Sequence, residues 1–74
     1  MSDQEIQSIH QLKADIQRLI AELEKWGYRP YRRDRNRMQK RIRTSSNFVK
    51  LKATHDDLDE RLQAFVLRKM SENL

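Results

Sequence analysis

Half of the residues between Tyr28 and Arg43 are cationic, and their type and crowding define the first chemistry this chain offers. They are Arg29, Arg32, Arg33, Arg35, Arg37, Lys40, Arg41 and Arg43. Asp34 alone opposes them, so the segment carries +7, and the whole-chain charge of +5 leaves −2 on everything else. Seven of the eight are arginines, whose planar guanidinium grips phosphate or carboxylate with two parallel hydrogen bonds, which lysine's point charge does not match. An anionic partner is therefore expected. Trp26, Tyr28 and Tyr31 lie beside the block, and Thr44, Ser45, Ser46 and Asn47 follow it with hydroxyl and amide groups that can also contact phosphate.

Nucleic acid, DNA or RNA, is the first partner this composition suggests. Tyr28 and Tyr31 could stack on bases, although rings at the end of a helix more often close a turn by packing. The alternative partner is an acidic protein surface, with the chain docking on a larger protein as a small regulator or inhibitor. The broad apolar face formed by Ile6, Ile20, Val49, Val66, Leu67 and Met70 favours that alternative. A plain solvated basic surface is the third reading. No residue pair can be assigned to a base edge, so contacts to phosphate rather than sequence reading are expected.

Other chemistries find little support. There is no cysteine, so neither a disulfide nor a cysteine-based metal site or nucleophile can form. His10 and His55 fall on different helical segments without a spaced carboxylate pair, and no metal or cofactor is expected. Asp56, Asp57, Asp59 and Glu60 read as a solvated helix face, and a single glycine, Gly27, excludes a glycine-rich phosphate loop. An enzyme is not expected. The longest apolar run is four residues, Ala64 to Leu67, and the polar, acidic start lacks a signal-peptide pattern, so a cytoplasmic protein without a membrane span is the expectation.

The elements that must hold the block are helices. Ile9, Leu12, Ile16, Leu19, Leu23 and Trp26 recur at alternating spacings of three and four, a heptad stripe widened by Ile6 and Ile20. A helix is predicted over about 3–26, capped by Ser2 or Asp3 and ended by Gly27. Phe48, Leu51, His55, Leu58, Leu62, Phe65 and Lys69 repeat the spacing and predict a helix over about 48–71. The turn is placed at 27–30, with Pro30 as the first residue of a basic helix or projecting arm over 31–47.

The expected fold is all-α: a single domain over 1–74, a two-helix antiparallel hairpin that dimerises into a helical bundle. Two arrangements compete. In the favoured one a second helix runs unbroken from about 31 to 72, setting Leu19 opposite Met38, Ile16 opposite Ile42 and Ile9 opposite Phe48 or Val49. Its overhanging end then needs a second chain, with Leu51, His55, Leu58, Leu62 and Phe65 as the oligomer seam. In the other, the chain breaks near 44–47, and the two heptad segments zip antiparallel, Leu23 with Leu51 and Ile9 with Phe65. The basic block then projects as an arm. A chain this short is near the size where one core is marginal, which also points to a homodimer.

Overall fold

A computed structural model describes residues 3–72 and contains three helices, α1 (Asp3–Lys25), α2 (Arg35–Thr44) and α3 (Phe48–Glu72). Helix α1 forms where the heptad stripe predicts, and Ile9, Leu12, Ile16, Ile20 and Leu23 are its buried residues. Asp3 and Glu5 in the first turn and Lys25 in the last have the charges that complement a helix dipole. Ser2, the other expected cap, lies outside the described residues. Gly27 ends the helix at φ 92. Its N–H donates to Glu24 O at 3.0 Å, and the Tyr28 N–H reaches back to Leu23 O at 2.9 Å. This nested pair satisfies the last carbonyls of α1 and turns the chain sharply, with Tyr28 folded onto the core.

The basic segment is not one long helix. Tyr31 adopts φ 61, which no right-handed helix can accommodate, and its carbonyl accepts the Asp34 N–H at 2.9 Å in a turn. Pro30, expected to open the helix, is instead buried in this connection. Helix α2 begins five residues later and lasts ten residues, with Ile42 its one buried side chain. Ser45 then turns extended at φ −71, ψ 138. Thr44 Oγ1 donates to Lys40 O at 2.9 Å, the local competition with helix hydrogen bonding that makes such residues good terminators. Asn47 Oδ1 accepts the Lys50 N–H at 3.1 Å and so caps the start of α3.

The expected two-helix architecture is thus corrected to three helices, and an unbroken helix over 31–72 does not form. Helix α2 runs back along α1: Arg35 at its start meets Glu24, and the Arg43 carbonyl at its end meets Lys13. Tyr28, just past α1, meets Arg61 and Phe65 far along α3. Helices α1 and α3 therefore point the same way, with α2 antiparallel to both, and the antiparallel pairing of Leu23 with Leu51 and Ile9 with Phe65 does not occur. The main helix contact joins α1 to α3. Its core contains Ile16, Leu23 and Leu58, with Leu51, Ile42 and the rest of the buried α1 stripe around them.

Three substitutions test this account. Leu58→Ala should cost about 2–5 kcal/mol, a large share of the roughly 4–11 kcal/mol that a chain of this length can hold. Asn47→Ala and Gly27→Ala should each cost about 1 kcal/mol, the first by uncapping α3 and the second through its left-handed φ alone, since a Cβ there meets nothing within 4 Å. Thermal midpoints should fall by about 4–8 °C per kcal/mol. Unchanged midpoints would rule out these caps.

Candidate anionic-partner interface

All eight cations of the block are exposed. The fold divides them. Arg29, Arg32 and Arg33 lie on the connection between α1 and α2, whereas Arg35, Arg37, Lys40, Arg41 and Arg43 lie on α2. Arg29 and Arg33 precede the helix and so share no helical face with Arg37 and Lys40. On α2 itself, Arg37 and Lys40 occupy the side opposite Ile42, the residue that anchors the helix to the core, whereas Arg41 lies on the flank beside α3, in a groove with Lys50. Thr44 shares that outward side.

Two polar contacts hold α2 in place. Arg35 Nη2 lies 2.8 Å from Glu24 Oε1 and donates to Glu24 Oε2 at 3.0 Å, the second contact having hydrogen-bonding geometry. The pair is exposed enough to contribute at most about 1 kcal/mol. Lys13 Nζ donates to Arg43 O at 2.7 Å, placing a cation at the negative end of the α2 dipole. Arg35 is thereby engaged within the fold, and its neighbours carry the charge available to a partner.

Tyr28 and Tyr31, the candidate stacking residues, both pack against the core. The Tyr28 hydroxyl accepts from Arg61 Nη1 at 2.9 Å, and its ring meets Phe65 at a centroid distance of 6.0 Å and an interplanar angle of 50°. Burial, reinforced by the Asp57 carboxylate, pushes the Tyr31 phenol above its ordinary range, with the Arg61 cation opposing. These rings close the connection onto α3. Trp26, 40% exposed, is the large aromatic ring left open to solvent beside the block.

Of the residues expected to form an oligomer seam, Leu51 and Leu58 are 3% and 1% exposed within the chain's own core. Leu62 packs against that core, Phe65 meets Tyr28, and His55 is half-buried. His55 Nδ1 lies 3.1 Å from Asp56 Oδ1, and this contact, with Lys52, holds the exposed Asp56 carboxyl below its usual range. The acids of α3 also pair locally, as in Asp57 with Arg61 at 3.1 Å. Lys50, Arg61 and Arg68 extend the positive surface onto α3. Lys50 lines a shallow groove with Arg41, and Arg61 and Arg68 line another beside Tyr28. In the sequence Arg61 and Arg68 read only as partners for acids on their own helix, and it is the third helix that brings them, with Lys50, to the block.

Among the described residues no cluster of His, Asp or Glu could hold a metal ion, and no helix is long and apolar enough to cross a membrane. No protein-family model, curated protein or solved structure matches the chain.

The raised Tyr31 value has a stability consequence. The folded chain favours the neutral phenol, so the linked stability is fully present below about pH 10, the ordinary phenol pKa, and is lost as pH rises through the higher folded value. Denaturant midpoints measured at pH 9 and pH 11 should fall less in Tyr31→Phe than in the parent chain; an equal fall would show that Tyr31 is not involved.

Proposed function

We propose that this protein is a small regulatory or accessory factor that binds nucleic acid through the phosphates. The observation supporting this reading is the segregation of charge: +7 in sixteen residues, fully exposed, with Arg35 the member paired to a carboxylate. Helix α2 is about 15 Å long at 1.5 Å per residue, and a duplex groove or a single strand can lie along its outward side. Arg37, Lys40 and Arg41 then contact phosphates from the helix, while Arg29, Arg32 and Arg33 reach from the connection. No residue pair on this surface is assigned to a base edge, so the contacts position the protein on phosphates.

Electrostatic binding of this kind is strongly salt-dependent. Neutralising about six phosphates of duplex DNA gives log K a slope of about −5.4 against log salt, because each contact releases condensed counterions. A second reading, a regulator that docks on an acidic protein, draws support from the exposed apolar side chains Leu67 and Met70 at 65% and 60% exposure. Such docking need not show that slope, nor tolerance of random nucleic-acid sequence.

Fluorescence anisotropy with labelled random-sequence duplex and single-stranded RNA, at two salt concentrations, separates the readings. Arg33→Glu, Arg37→Glu and Arg41→Glu together reduce the block from +7 to +1. The triple variant should keep its helical circular dichroism and lose at least a hundredfold in affinity. Retained binding, or no binding by the parent chain at low salt, would eliminate the phosphate reading.

A further inference from the structure

The α1–α3 pair is covered by α2 on one side and uncovered on the other. Lys13 and Glu24 mark the α2 side of α1, and Lys50 and Thr54 mark it on α3. Seen down the helix axes, Leu19 and Trp26 fall on the opposite side of α1, and Phe48, His55, Leu62 and Val66 fall on the opposite side of α3. These residues form heptad rows, 19 and 26 on one helix and 48, 55 and 62 on the other. They flank the rows that the internal seam consumes, 9, 16 and 23 against 51 and 58. Trp26 and Phe48 are 40% and 46% exposed, and the other four are half-buried. A heptad stripe wider than its internal seam is the pattern of a helix with a second helical neighbour.

The elongated chain exposes more surface than a compact monomer of its mass. The chain exposes 6063 Å², whereas a folded monomer of 9.0 kDa exposes about 4,900 Å² by the usual mass scaling. Its radius of gyration is 13.8 Å, against about 11 Å for a compact domain of this length. The excess of about 1,200 Å² falls in the range that one subunit of an obligate homodimer buries, about 1,000–2,500 Å². Charge indicates which neighbour fits. The polar rim of the uncovered face is mixed, with Asp15, Glu22 and Asp59 against Lys52, while Arg35, Arg37, Lys40, Arg41 and Arg43 lie on α2, on the far side. Two copies can therefore meet on this face with their basic blocks pointing outward and apart. Any contact through α2 would bring like charges together.

We propose that the face of α1 and α3 opposite α2 is the contact between two copies of this chain, joined about a two-fold axis into a four-helix layer with one basic helix on each outer side. The contact does not depend on what the basic block binds, and it is tested without nucleic acid. Sedimentation equilibrium of the full chain should give twice 9.0 kDa. Trp26 is the one tryptophan, so its emission should shift red on dilution in step with the fall in mass. Trp26→Glu with Phe48→Glu should raise the dimer Kd at least tenfold. Val49→Glu, at a 75% exposed position on another side of α3, should leave it unchanged. A mass of 9.0 kDa at every concentration to 1 mM overturns the proposal. So does a dimer whose Trp26 emission ignores dilution, or one that Val49→Glu splits while the double variant does not. The dilution measurement uses the parent chain and stands even if the double variant fails to fold.

Discussion

Burial along the line between α1 and α3 is the constraint on which every other placement depends. Ile16, Leu23 and Leu58 are almost completely removed from water, and the remaining buried side chains surround them. At about 25 cal/mol per Å² of apolar surface, such burial is the main favourable term for a chain with no disulfide and no metal cluster among its described residues. The polar contacts are peripheral by comparison. Each salt bridge lies at the surface, and their role is orientation: Glu24 and Lys13 fix where α2 lies, and Arg61 fixes Tyr28 over Phe65.

This arrangement explains how a strongly cationic segment can be displayed without disturbing the fold. Eight like charges would repel one another in a buried or crowded setting; three are set on the connection, and α2, which carries the other five, buries one side chain, Ile42. The five cations of α2 are exposed to solvent, where hydration and salt limit the repulsion. The two bends that flank the helix have different origins. The first uses the backbone freedom of Gly27 and the left-handed Tyr31, and the second uses the side-chain hydrogen bonds of Thr44 and Asn47.

Much of this was legible in the sequence, for physical reasons that differ between segments. Helices α1 and α3 follow from heptads, because apolar spacing reports which face needs burial wherever the partner lies. Gly27 was legible as a terminator because it alone in the chain lacks the Cβ that disfavours positive φ. The left-handed Tyr31 was not, since Pro30 pointed to a helix start and nothing local marks a tyrosine for that conformation. The relative direction of α1 and α3 was also hidden, because heptad stripes pair equally well parallel or antiparallel and only the intervening short helix decides. The eight cations were identifiable as a group, yet their division between a loop and a helix depended on where α2 begins. Arg61 and Arg68 were legible as partners for acids on their own helix, as in Asp57 with Arg61, but their nearness to the block, like that of Lys50, arises through a third helix and leaves no trace in the spacing within one.

The slender attachment of α2 has a kinetic meaning. One buried isoleucine and two exposed polar links hold ten residues in position, whereas α1 and α3 share a continuous apolar line. Local opening free energies follow such differences, so the amides of α2 exchange with solvent through excursions that leave the other two helices intact. The cationic helix is thus a lightly moored outrigger on a two-helix keel.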